Sequence, residues 1–206
     1  MEMAQYDAYF DYLMRRSAAG ALYRHAVLYP RIARRLTGRT LDVGCGIGDF
    51  LRYRPQTVGV DVNPRTVEYC RNQGLDAHCM EPDRLPFADG DFQSVLLDNV
   101  LEHIAEPGPL LTEIQRVLGP HGRVLIGVPG IRGWERDPDH KVRYDEFALT
   151  KTLRSHGFEV AETFHTPLWR WQWLSRKLPQ YCLFMLFAVA PQPPPRRASA
   201  ASQFPV

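Results

Sequence analysis

Residues 39–51 read Arg-Thr-Leu-Asp-Val-Gly-Cys-Gly-Ile-Gly-Asp-Phe-Leu, and this stretch decides the fold. A short apolar run enters a turn with glycine at positions 44, 46 and 48, and a segment of helical composition follows, which is typical of a strand, loop and helix in a parallel sheet. Because glycine has no Cβ, such a turn lets the backbone approach a bound ligand closely. The alternative is a tight turn that binds nothing.

The spacing of the glycines distinguishes two kinds of ligand. A dinucleotide-binding loop has the pattern Gly-x-Gly-x-x-Gly, but here Asp49 stands where its third glycine would fall. Asp42 and Asp49 flank the loop, so it would suit the cationic amino group of a methionine moiety better than an anionic pyrophosphate. The loop therefore favours S-adenosylmethionine (SAM) and opposes a nicotinamide dehydrogenase.

An acidic residue ends the next predicted strand, in Val58-Gly-Val-Asp61, 17 positions after Gly44. In a parallel sheet the ligand crevice lies outside the carboxyl ends of the strands, so Asp61 is predicted to face the same crevice as the glycine loop. There its carboxylate could accept both hydroxyls of a ribose. The alternative is a cap or turn residue ahead of a helix that starts near Pro64.

From residue 40 onward, short apolar runs alternate with helical stretches, which predicts an α/β fold with a doubly wound parallel sheet. The predicted strands are 40–43, 57–62, 76–78, 94–98, 123–128, 158–163 and 183–190, and the predicted helices are 48–53, 65–73, 107–118 and 146–156. Residues 4–36 predict one or two further helices, broken at Gly20 and Pro30. We therefore expect an N-terminal helical cap (1–37), a sheet domain (38–190) and a disordered tail rich in Pro, Ala and Ser (191–206).

The composition narrows the class of partner. The 206 residues include 25 Lys and Arg against 23 Asp and Glu, so the net charge of +2 gives no broad footprint for nucleic acid. The four cysteines are scattered, which predicts reduced thiols in a cytoplasmic protein and no zinc knuckle. The longest apolar run, 182–190, is far shorter than the roughly 20 residues of a membrane helix. No integral membrane association is expected, and the sequence predicts no particular oligomeric state.

Four motifs together resemble the class I SAM-dependent methyltransferases of the small-molecule type, including the ubiquinone and menaquinone biosynthesis enzymes and many sugar and natural-product enzymes. The resemblance covers roughly residues 38–165. Its motifs are Leu41-Asp-Val-Gly-Cys-Gly-Ile-Gly-Asp, Val58-Gly-Val-Asp, Glu81-Pro-Asp-Arg-Leu-Pro-Phe-Ala-Asp-Gly-Asp-Phe and Leu97-Asp-Asn-Val-Leu-Glu-His-Ile.

The resemblance implies a Rossmann-like seven-stranded sheet of order 3-2-1-4-5-7-6 and SAM as cofactor. It implies that the loop glycines approach the methionine end, that Asp61 binds the ribose and that Val62 lies on the adenine face. Glu81 stands where family members usually carry the Asp of Gly-Asp-Ala, which reaches the adenine amino group. The full predicted cofactor-binding set is Asp42, Gly44, Cys45, Gly46, Gly48, Asp61, Val62, Glu81, Pro82, Asp98 and Asn99.

Histidines are the candidate catalytic residues. Transfer of a methyl group from a sulfonium mainly requires alignment of donor and acceptor, and a hydroxyl acceptor would benefit from a base such as histidine. His103, just past the strand that should end beside the reacting methyl, is the first candidate for an acceptor-side base or orienter. The alternative is that Glu102 and His103 only cap or pack a short helix.

A second candidate group lies in the polar segment 136–146. In one interpretation, His140 and Tyr144 of this segment face the substrate. In the alternative, the segment is a loop held in place by its own hydrogen bonds. Metal ligation by Asp137, Asp139 and His140 is conceivable but weak, so no metal is predicted. His165 is a more distant candidate.

The alternation of Trp169, Trp171 and Trp173 with polar residues predicts the lining of an apolar acceptor pocket, or a peripheral contact with a membrane surface. The alternative is packing against the sheet edge or a dimer partner. The predicted function is transfer of a methyl group from SAM to a small-molecule acceptor. The atom predicted to receive the methyl group is a hydroxyl oxygen, in preference to nitrogen or carbon. The alternative is a non-catalytic SAM-binding or scaffold protein on the same fold.

Overall fold

A single mixed sheet organises the chain. The structure is a computed structural model that describes residues 3–167, 176–178 and 181–190, with side chains from Tyr6 onward. Within these residues the sheet has seven strands in the order β3-β2-β1-β4-β5-β7-β6, as predicted. The strands are β1 Thr40–Val43, β2 Thr57–Asp61, β3 Ala77–Cys79, β4 Phe92–Asp98, β5 Leu118–Pro129, β6 Phe158–Thr166 and β7 Cys182–Val189. Strands β1 to β5 pair in parallel, whereas β7 runs antiparallel to both β5 and β6.

Helices precede the sheet and connect its strands. They are α1 Met3–Met14, α2 Ala18–Tyr23, a π-helical segment Arg24–Leu28, α3 Tyr29–Ala33, α4 Asp49–Tyr53, α5 Pro64–Asn72, a 3₁₀ turn Leu101–His103, α6 Gly108–Val117, α7 Ile131–Trp134 and α8 Glu146–Arg154. Local capping explains where two of them begin. The Asn63 side chain accepts the Arg65 N–H at 3.0 Å to cap α5, and Asp145 accepts the Ala148 N–H at 2.8 Å to cap α8.

The core lies on both faces of the sheet. In β4, Val95 and Leu97 belong to the large cluster that includes α6 and α8, while Leu96 packs on the opposite side with Tyr29 and Ile32 of α3. This division follows the two-residue period of a strand. All four residues of β1 are buried, as expected for a strand covered on both faces.

Three details of the sequence interpretation are wrong. Residue 118 was predicted to be helical, but β5 begins there, because Leu118 pairs with Phe92 across a local irregularity in the register. Gly20 and Pro30 do not break the N-terminal helices. Gly20 lies inside α2, and Pro30 falls in the first turn of α3, where a missing N–H costs little.

Two expectations lie outside the described residues: the tryptophan alternation at 169–173 and the tail at 191–206. In the described part of the chain, no helix combines the length and the apolar character needed to cross a membrane. The apolar run 182–190 forms the strand β7 instead.

Candidate functional site

The glycine loop between β1 and α4 has the backbone geometry of a ligand-binding turn. Gly44, Gly46 and Gly48 have φ values of 76°, 53° and 75°, a region that other residues rarely adopt. The N–H groups of Gly44 and Cys45 both donate to the carbonyl of Val60, at 2.8 and 3.0 Å. These bonds join the start of the loop to β2. The loop is therefore held by the sheet, and its glycines allow Val100, Leu13 and Leu75 to pack closely against its backbone.

Asp61 connects the end of β2 to this loop. Its carboxylate accepts the Gly46 N–H at 2.9 Å and the Asn63 N–H at 2.9 Å. The alternative role as helix cap belongs to Asn63, whose side chain caps α5. Asp61 thus positions the loop in this structure, and its predicted contact with a ribose remains a prediction.

Three carboxylates gather where β1, β2 and β4 end. Burial raises the pKa of Asp42 well above its usual range, and the nearby charges of Asp98 and Asp61 raise it further. Burial likewise raises the pKa of Asp61, and it raises that of Asp98 to about 6. Such a concentration of acidic groups favours a cationic ligand.

Asp49 was predicted to add negative charge beside the glycine loop, but in the structure it lies among arginines. Its carboxylate lies 3.4 Å from Arg16, 3.2 Å from Arg24 and 3.5 Å from Arg52. These arginines compensate its charge. We therefore assign the acidic character of the crevice to Asp42, Asp61 and Asp98.

Helix α1 packs over the glycine loop. Leu13 is only 1% exposed, and a Cβ added at Gly46 would lie 3.1 Å from its Cδ1. The Asn63 amide donates to the backbone carbonyl of Tyr6 at 2.9 Å, and the Arg65 guanidinium lies 2.8 Å from Asp7. Helix α1 therefore covers the glycine loop and the start of α5. The apolar spacing of α1 was visible in the sequence, but the surface it covers was not.

Tyr9, also on α1, is 44% exposed. Burial nevertheless raises its pKa to about 12, and the charges of Asp61 and Asp137 raise it further. Sequence reasoning did not identify this environment.

The remaining predicted cofactor residues lie near the same edge of the sheet. Asn99 is exposed in a left-handed conformation at φ 57°, and its side-chain amide donates to Asp98 at 2.8 Å. Val62 is half-buried after β2, whereas Glu81 and Pro82 are exposed after β3. Their predicted contacts with adenine are not tested by the structure.

Glu102 and His103, which follow β4, form a cluster with His140 from the loop after α7. Ligand atoms of these three side chains all lie within 4.8 Å of one another. His103 and His140 have ring centroids 4.7 Å apart, and His140 stacks on Trp134 at 4.8 Å. The structure therefore brings together two of the predicted catalytic residues and adds Glu102, which is fully buried.

Burial dominates the electrostatics of this cluster. It raises the pKa of Glu102 to about 8 and lowers that of His103, which the neighbouring His140 lowers further. Both carboxylate oxygens of Glu102 lack a hydrogen-bond partner among the described residues. Tyr144, the third predicted catalytic residue, lies in the main core at 7% exposure, where burial and then Glu102 raise its pKa.

The loop that carries His140 is held by its own hydrogen bonds, one of the two alternatives drawn from the sequence. The N–H groups of Lys141 and Val142 donate to the backbone carbonyl of Glu102 at 2.8 and 3.0 Å, and the Asp139 N–H donates to the Asp137 carboxylate at 2.9 Å. His140 donates from Nδ1 to the Trp134 carbonyl at 2.9 Å. The loop is thereby fixed against the segment that follows β4.

Comparisons with known proteins agree with this architecture. A family model described as a methyltransferase domain matches residues 41–126. An uncharacterised protein of Methanocaldococcus jannaschii is 30% identical over 126 residues, which cover 60% of this chain and 57% of that protein. A Mycolicibacterium smegmatis protein named "Probable S-adenosylmethionine-dependent methyltransferase" is 31% identical over 156 residues, covering 68% of this chain and 60% of that protein.

Among solved structures, one similar chain comes from the complex between the Haloferax volcanii Trm112 methyltransferase activator and a methyltransferase. It superposes with a TM-score of 0.71 at 21% identity, covering 91% of this chain and 98% of that chain. The fold, the glycine loop and these matches place the chain among the class I SAM-dependent methyltransferases, whose cofactor is SAM. The chain spans 57% and 60% of the length of the two relatives named above.

Proposed function

We propose that the protein transfers a methyl group from SAM to a hydroxyl oxygen of a small-molecule acceptor. The observation that carries this proposal is the contact between the cofactor loop and the segment bearing the histidine cluster. A Cβ added at Gly44 would lie 2.6 Å from Cγ2 of Val100, so the loop packs directly on the residues that lead to Glu102 and His103. Donor and acceptor sides adjoin at one edge of the sheet.

The residues of the loop and the strand ends fit SAM by their chemistry. The ligand carries positive charge on its sulfonium and amino groups, which Asp42 and Asp98 would attract. Gly44, Gly46 and Gly48 would approach the methionine portion with their backbone, and Asp61 would accept ribose hydroxyls while bracing the loop. The proposed cofactor set also includes Cys45, Val62, Glu81, Pro82 and Asn99. When bound, SAM supplies an electrophilic methyl group.

The acceptor side of the proposal rests on His103, which is half-buried, whereas the side chains of His140 and Glu102 are 6% and 0% exposed. We propose that His103 orients the acceptor hydroxyl or receives its proton, that His140 fixes the His103 ring, and that Tyr144 supports the loop from the core.

The first experiment is calorimetric titration of the protein with S-adenosylhomocysteine, the product form of the cofactor, beside the variant Asp61→Ala. We expect micromolar binding that the substitution weakens by at least about tenfold, since a charged hydrogen-bonding group contributes about 1.5–3 kcal/mol. The absence of any heat of binding, together with an unchanged melting temperature, would contradict the cofactor assignment.

The second experiment tests catalysis. The protein is incubated with SAM and a panel of phenols, catechols, sugars and lipid-linked hydroxyl compounds, with transfer RNA as a further arm, and S-adenosylhomocysteine formation is measured. Turnover of a hydroxyl compound that falls by about 10²–10⁴-fold in His103→Ala supports the proposal. Retention of turnover within a few-fold rules out His103 as the base. Cofactor binding with no product from any acceptor favours the alternative of a non-catalytic SAM-binding protein, and methylation of RNA contradicts a small-molecule acceptor.

We also propose a cytoplasmic location. All four cysteines, Cys45, Cys70, Cys79 and Cys182, are free thiols, which agrees with a reducing compartment. Fractionation of cells that produce the full-length protein, followed by immunoblotting, tests this location.

A further inference from the structure

We propose that Glu102, His103 and His140 form a binding site for a divalent transition-metal ion of the zinc type. The proposal departs from the sequence expectation, which considered Asp137 and Asp139 with His140 and predicted no metal. It rests on the juxtaposition of one carboxylate and two imidazoles, whose ligand atoms all lie within 4.8 Å of one another.

The first supporting observation is the state of Glu102. Its side chain is completely buried, and neither carboxylate oxygen has a hydrogen-bond partner among the described residues. A buried acceptor group without a donor is costly, so native structures nearly always provide a partner. The backbone N–H of Glu102 itself lowers the pKa of the carboxyl but does not form a hydrogen bond with it. Nε2 of His140 lies 3.8 Å from Oε1. That distance exceeds a hydrogen bond but leaves room for an ion between the two groups.

The second observation is the orientation of the His140 imidazole. Nδ1 of His140 lies 2.9 Å from the carbonyl oxygen of Trp134, which can only accept, so Nδ1 carries the proton and Nε2 presents its lone pair toward Glu102. Histidines that ligate metals almost always donate their other N–H to a carboxylate, a carbonyl or water. His140 therefore has the supporting contact that a metal ligand requires, and the backbone of Asp139 raises the pKa of the neighbouring His103, which burial lowers overall.

The donor set and its spacing select the class of ion. Two imidazoles and one carboxylate suit zinc and neighbouring first-row ions, whereas magnesium and calcium prefer oxygen ligands. An ion at about 2.0–2.1 Å from tetrahedral ligands brings their atoms to roughly 3.3 Å from one another. The three side chains would close by about 1.5 Å at their widest pair. With three protein ligands, such an ion retains a fourth position on the half-buried His103 side.

The inference goes beyond the proposed function, because metal binding can be measured without cofactor or acceptor. If both hold, the ion would lie on the acceptor side of the site, and His103 would act on an acceptor hydroxyl through the ion rather than as a base.

The test uses the full chain, purified without a histidine tag and stripped with a chelator. Co²⁺ is added as a spectroscopic probe, and Zn²⁺ is then used to displace it. We expect one equivalent of Co²⁺ to bind with micromolar or tighter affinity, with visible absorption bands of a four- or five-coordinate ion that Zn²⁺ abolishes. Glu102→Gln, which keeps the shape but removes the charge, should weaken binding by at least about a hundredfold, since loss of a residue that merely supports a ligand already costs about 10–100-fold.

His121→Ala is the matched control, because His121 is exposed on β5 and outside the cluster. It should bind Co²⁺ like the wild type. His103→Gln, at a half-buried position, replaces Glu102→Gln if circular dichroism shows that the latter does not fold.

A second measurement uses the wild type alone. In its proton NMR spectrum, the first resonances that Co²⁺ perturbs should be those of His140 and Trp134. Absence of stoichiometric binding in the folded wild type, perturbation of other residues first, or wild-type affinity in a folded ligand variant would each overturn the proposal.

Discussion

Substitution of Gly44 by alanine tests the packing of the cofactor loop on the segment after β4. At φ 76°, an alanine costs about 1–2 kcal/mol because its Cβ crowds the backbone. The added methyl would also lie 2.6 Å from Cγ2 of Val100, a distance that forces one group to move. Such overpacking costs about 1–3 kcal/mol more. We therefore expect Gly44→Ala to lower the free energy of unfolding by about 2–5 kcal/mol.

Gly74 provides the matched control. Its φ of 73° is nearly the same, but a Cβ added there meets no atom within 4 Å. Gly74→Ala should therefore show the backbone cost alone. The measurement is urea unfolding followed by circular dichroism, with Val100→Ala made alone and in the Gly44→Ala background to complete a double-mutant cycle. Removal of the Val100 methyl groups should restore about 1–3 kcal/mol of the loss. Equal destabilisation by Gly44→Ala and Gly74→Ala, with no coupling to Val100, would refute the contact on which the proposed function rests.

Three further predictions concern the charge of Asp98, the packing of Leu13 and the ion pair of Glu113 with Arg116. Burial raises the pKa of Asp98 to about 6, so its carboxylate loses its charge as the pH falls through 6. SAM affinity should then drop by up to about tenfold per pH unit below that value. Calorimetry at several pH values should show that the SAM affinity of Asp98→Asn depends less on pH than that of the wild type. Leu13→Ala should cost about 2–5 kcal/mol of stability and weaken S-adenosylhomocysteine binding, whereas Leu22→Ala, at a position 69% exposed, should leave both nearly unchanged. The Arg116 guanidinium lowers the pKa of Glu113 to about 2, so this pair stabilises the fold above about pH 4.5 and the contribution is lost as the pH falls toward 2. Urea unfolding of Glu113→Gln should therefore differ from the wild type at pH 6 and converge with it near pH 2; a constant difference would contradict the assignment.

The sequence predicted most of the sheet because its strands carry strong local signals. The glycine loop and the apolar runs of β1 and β2 fall within a residue of the predicted positions. The start of β5 was missed because Gly119 and Pro120 resemble the end of a helix. Only pairing with a distant strand reveals that Leu118 is already extended.

The candidate site was predicted less completely, since its parts come from distant segments. Which surface an amphipathic helix covers depends on tertiary contacts, so the position of Leu13 over the loop had no sequence signal. The partners of Asp49 include Arg16, which lies 33 residues earlier in the chain. The sequence offered only the alternative that Glu102 and His103 cap or pack a short helix, and the two residues do lie in the 3₁₀ turn, but the complete burial of Glu102 was not predicted.

The geometry of the carboxyl edge explains why these separate segments act together. Asp98 ends β4 and is close enough to raise the pKa of Asp42 on the cofactor side and of Glu102 on the acceptor side. Val100, two residues later, packs on Gly44. Five residues, from 98 to 102, therefore couple the two halves of the crevice by charge and by contact. If the proposed function holds, this contact relates the position of the bound methyl donor to that of the histidine cluster, which is what alignment of a donor with its acceptor requires.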